Sequence, residues 1–505
     1  MKEQLALLPG LLTAHLQLTL AALAAGTALA VPAGILASRI PRLEAYVLGI
    51  AGVIQTVPAL ALLAVMVPLL AALGLPGIGW LPAFLGLGLY SLLPILRNTV
   101  TGLGAVDPAV IEAARGVGMT PWQRLRVVEL PLALPVVIAG VRTATVWTVG
   151  MATLSTPVGA PSLGNYIFSG LQTRNLDAVL VGCAAAAALA LGLDGLVRAV
   201  ALGRERRRRG LVATGGLGLL ALAAWALAAP LAGARGTAER PVKIGTKTFT
   251  EQYILGEILA GQVRRATGLP VEVVSSLGST VAFDALARGE IDAYVDYTGT
   301  IWATLMKRAE RPPGREQVLA EVRRWLDETH GIRVAASLGF ENAYAFAMPS
   351  AEARVLGVHR LSDLAPHAAR LEAGGDYEFW SRSEWTAVRE AYGIEFAARR
   401  SMDPSLMYAA VRARQVDVIA AFTSDGRIAA YDLVTLEDDR GAIPPYDAVL
   451  LASRALAERR PEVVAALAGL EAKIDVERMR ALNRAVDEDG RSPAAVAHAF
   501  LEERP

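Results

Sequence analysis

Six apolar segments fall between residues 12 and 232, at about 12–37, 45–72, 79–97, 132–154, 177–201 and 210–232. Crossing about 30 Å of hydrocarbon takes roughly 20 apolar residues in helical form. In lipid, each backbone polar group has to be satisfied inside its own segment. A helical bundle meets both demands, so residues 1–235 are predicted to form an all-α transmembrane domain of about six helices. The first segment is longer than the apolar stretch of a secretory leader, and Lys2 is followed at once by Glu3. It is therefore expected to be retained as a helix.

Basic residues give the expected topology. Arg39 and Arg42 lie between segments one and two. Arg97, Arg115, Arg124 and Arg126 lie between three and four, and Arg198, Arg204 and Arg206 to Arg209 between five and six. These connections alternate with basic-poor ones, which assigns them to the cytoplasm and the N-terminus to the outside. Everything after the sixth segment then lies outside too.

Residues 1–235 carry about 16 basic and 8 acidic side chains, and the rest about 33 and 40, so the overall formal charge of +1 conceals a basic half and an acidic half. The basic residues are dispersed or sit at helix ends, with no aromatic-basic groove pattern, so no nucleic-acid partner is expected. One cysteine, Cys183, excludes disulfides and cysteine metal sites by count. Residues 236–241 are expected to be a linker. From Val242 onward, short β-branched runs such as VKIG (242–245), VEVVSSL (271–277) and IDAYVDY (291–297) alternate with amphipathic stretches. That alternation predicts α/β units on a largely parallel sheet, with later strands near 332–336, 342–348, 416–422, 432–436 and 446–453 and four helices after them. Thr250 is expected to cap the helix that follows it, and Asp403-Pro404 to begin another. Some 260 residues suffice for two lobes with separate cores.

Between segments three and four the chain reads EAARGVGMTPWQRLRVVELP (112–131), too charged to lie in lipid. It is expected to fold into a short helix pair. Its anchors Glu112, Ala113, Ala114, Gly118, Val128, Leu130 and Pro131 resemble the "EAA" loop of ABC-importer permeases. That resemblance implies a coupling helix docking on a separate cytoplasmic ATPase.

In the second half, KIGTKTFTEQYILGEILA (243–260), GEIDAYVDYTGT (289–300), FENAYAF (340–346), SDGRIAAYDLVTLEDD (424–439) and PPYDA (444–448) resemble solute-binding domains of the osmoprotectant-uptake family. Their members bind glycine betaine, carnitine or choline, and some fused members import ergothioneine, itself a trimethylammonium betaine. The resemblance implies a two-lobed, type II-like periplasmic-binding-protein clamshell over 242–505. One lobe would take 242–341 and 446–505, the other 342–445. A trimethylammonium group has no hydrogen-bond donor, so aromatic faces hold it. The family's cage positions map onto Tyr297, Tyr344, Phe422 and Tyr446, with Phe422 where osmolyte binders carry tyrosine; Tyr408 is a weaker candidate. Lys247, Thr300 and Arg382 match carboxylate-binding positions, which choline would leave unpaired. Glu251, Gln252 and Asp425 are candidates to hydrogen-bond a ring such as the imidazole-thione of ergothioneine.

The resulting expectation is a fused permease and substrate-binding subunit of a bacterial inner-membrane importer for a trimethylammonium betaine. It would work as a homodimer with its own ATPase partner and need no cofactor or metal. The competing reading from another class is a membrane-tethered betaine sensor or ligand-gated channel, which would have no use for the EAA loop. An enzyme is not expected. No nucleophile–base–acid arrangement stands out, His330, His359, His367 and His498 lack metal spacing, and GTKT (245–248) lacks the spacing of an ATP-binding phosphate loop.

Overall fold

The computed structural model describes residues 2–173, 175–233, 240–308, 314–376 and 379–503. The chain divides into two compact units, Met1–Phe168 with Asp177–Ala238, and Ser169–Leu176 with Glu239–Pro505. Most of the expected linker 236–241 lies outside the described residues, Arg240 and Pro241 excepted.

The first unit is helical. Its helices are α1 (Lys2–Ala37), α2 (Pro41–Thr56), α3 (Ala59–Ala72), α4 (Trp80–Gly104), α5 (Pro108–Gly116), α6 (Pro121–Arg124), α7 (Leu130–Ala152), the start of α8 (Gly164–Gln172), whose residues from Ser169 count with the second unit, α9 (Leu176–Glu205) from Asp177 on, and α10 (Arg209–Gly233). Five are long and apolar enough to span a membrane. α2 and α3 make a sixth only as a pair, bent by 99° at Val57-Pro58. A proline disfavours helical geometry in the residue before it, and Val57 is extended there. The expected single span 45–72 is therefore broken. Gln55 and Thr56 stand at that break, and Thr56 is exposed and donates its hydroxyl to Val53 O at 2.7 Å. α4 also runs one to two turns beyond the expected end at residue 97.

Close helix approach explains two glycines. A Cβ on Gly34 of α1 would stand 2.8 Å from Thr99 of α4, and one on Gly140 of α7 would stand 2.8 Å from Pro94 O of the same helix. Small residues let membrane helices touch backbone to backbone. A polar pin joins α7 to α9: Arg142 donates Nε and Nη2 to the two carboxylate oxygens of Asp194, both at 2.8 Å. Asn98 is spent locally, on Pro94 O at 2.8 Å.

The second unit has two five-stranded sheets. The first, in the order β2-β1-β3-β10-β4, uses β1 (Val242–Gly245), β2 (Val271–Val274), β3 (Ala293–Tyr297), β4 (Arg333–Glu341) and β10 (Asp447–Ala452). The second, in the order β7-β6-β8-β5-β9, uses β5 (Tyr344–Pro349), β6 (Glu372–Gly375), β7 (Ala398–Ser401), β8 (Val418–Phe422) and β9 (Leu433–Thr435). Each sheet is mixed, which corrects the expectation of a largely parallel one. β1, β2 and β3 pair in parallel, as do β6, β7 and β8, while β10 and β5 insert antiparallel. A parallel partner needs a crossover within one sheet, whereas β5 and β10 are the strands that bring the chain across from the other sheet.

Helices cover the sheets. α11 (Thr250–Thr267) buries Ile254, Leu255, Ile258, Leu259 and Val263 and ends at Gly268, whose φ of 70° suits a residue without a side chain. α12 (Ser279–Ala287) follows β2. Four helices close the chain, at Arg454–Arg459, Pro461–Ala468, Val476–Asp487 and Pro493–Glu502. Thr250 does not cap α11. It is the first helical residue, and its hydroxyl donates to Asp487 at 2.7 Å.

Candidate functional site

The chamber of the second unit is assembled by strand ends and helix starts. β3 ends at Tyr297, β5 begins at Tyr344, β8 ends at Phe422, and Tyr446 immediately precedes β10. Tyr344 lies opposite Phe422 in the β5–β8 register. Their rings are 5.1 Å apart, and Tyr446 stands edge-on to Tyr344 at 5.8 Å. These aromatics line a cavity of about 300 Å³ together with Lys247, Glu251, Thr300, Arg382 and Asp425. Nine of the ten site residues expected from sequence in this unit therefore meet in one place.

Gln252 does not. It is buried behind the wall, donating to Val295 O at 3.1 Å and to Tyr297 Oη at 3.0 Å, and accepting from the Lys247 N–H at 3.3 Å. It braces a cage ring. Tyr408 is also outside the chamber, fully buried, with its hydroxyl accepting the Phe422 N–H at 3.0 Å and the Arg427 guanidinium 4.0 Å from its ring centroid.

Each of the tyrosines Tyr297, Tyr344 and Tyr446 gives its hydroxyl to a carboxylate. Tyr297 donates to Glu251 at 2.5 Å, Tyr344 to Asp376 at 2.9 Å, and Tyr446 to Glu384. Burial pushes the Tyr297 and Tyr446 phenols well above the ordinary range, and the adjoining carboxylates add to the rise. The Tyr297 and Tyr446 hydroxyls thus stay protonated, and the hydrogen bonds fix the planes of their rings, whose faces can attract a cation. Phe422 has no hydroxyl to satisfy. Two protein cations already lie over cage rings, Lys247 at 5.3 Å from the Tyr297 centroid and Arg382 at 5.6 Å from that of Tyr344.

The cations expected to await a ligand carboxylate have carboxylates of their own. Lys247 pairs with buried Asp296, Arg382 lies 3.7 Å from Glu384, and Arg427 grips Asp425 through Nε at 2.9 Å and Nη2 at 2.6 Å. Contrary to expectation, choline would therefore strand none of these cations. Among the described residues of the chamber wall, Glu251, Asp376, Asp403, Asp425 and Asp487 outnumber Lys247, Arg382 and Arg427 by two formal charges. Burial raises Glu251 despite donors from Tyr297, Asn342 at 3.0 Å and Asn483 at 3.1 Å. Desolvation likewise pushes Asp487 up to about 7, against the pull of Arg427.

Several lining residues escaped sequence reasoning. Phe249 and Asn342 lie inside the quoted motifs KTFTEQ and FENAYAF, so a signal existed for them. Asn483 and Asp487 stand four apart on the helix Val476–Asp487, far from any motif. Asp376 had no local signal.

In the first unit, the charged loop forms the expected helix pair. Asp107 caps α5 through the Ala109 N–H at 2.8 Å, and Thr120 with Gln123 forms a capping box on α6. Gly118 turns the chain between them at a φ of 80°. Glu112, Ala113, Val117 and Trp122 are exposed, Ala114 is buried, Leu130 packs against the α4–α7 core, and Pro131 sits in the first turn of α7. A π-helical turn at Leu125–Glu129 buries Glu129 between Arg39 and Arg124.

Residues 240–503 match the family described as the substrate-binding domain of the ABC-type glycine betaine transport system, and residues 30–206 the binding-protein-dependent transport system inner membrane component. The chain is 31% identical over 93% of its length to the ergothioneine transport permease/ergothioneine binding protein EgtU of Helicobacter pylori, covering 85% of that protein. It is 34% identical to the carnitine transport binding protein OpuCC of Listeria monocytogenes over 54% of its length and 89% of that protein's. It is 41% identical to the permease protein OpuCB of the glycine betaine/carnitine/choline system of Bacillus subtilis over 36% of its length and 80% of that protein's. Fold, chamber and matches converge: the chain belongs to the ABC-type glycine betaine transport family, as an inner-membrane permease fused to its substrate-binding domain.

Proposed function

We propose that the binding half captures a trimethylammonium compound such as glycine betaine, carnitine or choline, with Tyr297, Tyr344, Phe422 and Tyr446 as the cage. Two copies of the permease half would form the path, and a separate ATPase would dock on the loop 108–131. The N-terminus and the binding half would face outward. The observation that carries the ligand class is four aromatic rings, three of them hydrogen-bonded to carboxylates, lining one space whose described wall residues carry excess formal negative charge. Such a space favours a cation that needs no donated hydrogen bond. Competition binding on the purified full chain with choline, glycine betaine, carnitine and uncharged analogues such as tert-butyl compounds tests it. Equal affinity for charged and uncharged analogues refutes the cage.

One observation favours ergothioneine as a second reading. Glu251, Asp425, Asp487, Asn342 and Asn483 supply acceptors to the same chamber. Glycine betaine has no N–H or O–H to offer them, whereas an imidazole-thione has two N–H donors. The long match to a protein named for ergothioneine transport agrees with this. Ergothioneine binding much tighter than glycine betaine would decide for it.

A further inference from the structure

A second cavity, of about 640 Å³, adjoins the chamber within the binding half. Ser279 and Arg382 belong to the walls of both, so the two spaces meet at those side chains. Its walls come from α12 and the stretch 303–308 on one lobe and from residues 381–384 on the other. Among the described residues its charge is the reverse of its neighbour's: Lys307, Arg308 and Arg382 face one carboxylate, Glu384, whereas the chamber carries two formal negative charges in excess. Arg308 also lies 3.8 Å from Glu321, which is not part of the wall. Hydroxyls of Ser279, Thr280, Thr304 and Ser383 add hydrogen-bond donors. Lys307 holds a φ of 55°, a left-handed conformation that costs a non-glycine residue free energy and concentrates at ligand sites.

Two joined cavities of opposite charge form a receptacle for a dipolar molecule. An anion is repelled from the chamber, where each cation is already paired, and attracted to its neighbour. We propose that the second cavity is an anion subsite. The ligand class is then a trimethylammonium head joined by a flexible arm to a carboxylate or phosphate that reaches Lys307 and Arg308. The head's placement rests on the cage reading above; the anion's does not.

The test is calorimetric titration of the purified full chain, wild type and K307Q/R308Q, with choline, glycine betaine, carnitine and phosphocholine. Carnitine and phosphocholine are expected to bind the variant about fivefold or more weakly, as losing two partly exposed charges implies, while choline and glycine betaine change less than about twofold. Loss for carnitine alone assigns the subsite to carboxylate, and loss for phosphocholine alone to phosphate. Equal loss for all four ligands, or loss for none, overturns the proposal. If none of the four binds wild type, the cage reading has failed and inorganic phosphate decides the subsite by itself. Phosphate binding that the variant lacks supports it, and no phosphate binding to wild type overturns it.

Discussion

Replacing Tyr344 in two ways separates what its ring does from what its hydroxyl does. The ring stands 5.1 Å from Phe422 and 5.8 Å from Tyr446, so it is the member that touches two other walls of the cage. The hydroxyl is committed to Asp376. Tyr344→Ala removes one cation-binding face, worth about 0.5–2 kcal/mol, so affinity should fall about 2- to 30-fold. The buried ring also packs against Phe379 at 4.8 Å, so the same change should cost about 3–5 kcal/mol of stability. Tyr344→Phe keeps the face and strips Asp376 of one charge-assisted hydrogen bond, about 1.5–3 kcal/mol of stability. Asp376 still accepts the Phe379 N–H at 2.6 Å, which argues for the low end of that range. Titration of the full chain with choline and glycine betaine, alongside melting curves, reads both quantities. If the folded Ala variant binds as wild type does, or the Phe variant loses as much affinity as the Ala variant, the ring is not a cage wall.

Three further outcomes are expected. Asp487 has its pKa raised to about 7 by burial, so it is partly protonated near neutrality; a cation in the chamber favours its ionised form, and affinity should rise with pH from 6 to 8. Calorimetry in buffers of different ionisation enthalpy should show proton release on binding, absent in Asp487→Asn. The sign for stability is opposite: a carboxyl raised in the folded state destabilises the fold progressively as pH climbs from about 4 to about 7. Gly118→Ala strains a turn held at a φ of 80°, at about 1–2 kcal/mol, and should lower uptake while leaving ligand affinity unchanged; loss of affinity would contradict the separation of the two functions. Asp194→Leu leaves Arg142 without its carboxylate among apolar helices, costing about 2.5–3.5 kcal/mol, and the double change with Arg142→Leu should restore the melting temperature.

Much of this was legible in the sequence because it is written in periodicity and motif. Apolar run length disclosed the spans, and β-branched runs disclosed eight of the ten strands. β6 and β7 escaped because EAGG and ARRS carry no strand signature; they are held by their neighbours in the sheet. The four cage aromatics were readable as motif anchors. Of the three acids that hold their hydroxyls only one was readable, since Glu251 sits in a motif while Asp376 and Glu384 are brought up by the fold. The counter-ions of Lys247 and Arg382 were hidden for the same reason. A sequence displays cations and carboxylates separately, and pairs such as Lys247 with Asp296 exist only once β1 and β3 lie side by side. The bend at Val57-Pro58 was signalled by the proline, but a length criterion reads straight across it.

The tethered hydroxyls of Tyr297, Tyr344 and Tyr446 set a limit on discrimination. A phenol committed to an internal acceptor offers an incoming molecule only its flat side. Such surfaces register bulk and positive charge, and they are blind to whatever else the guest carries. On the proposed cage, telling one methylated amine from another would therefore fall to groups set apart from the rings, and exchanging those groups would retune selectivity while the grip on the head stays the same.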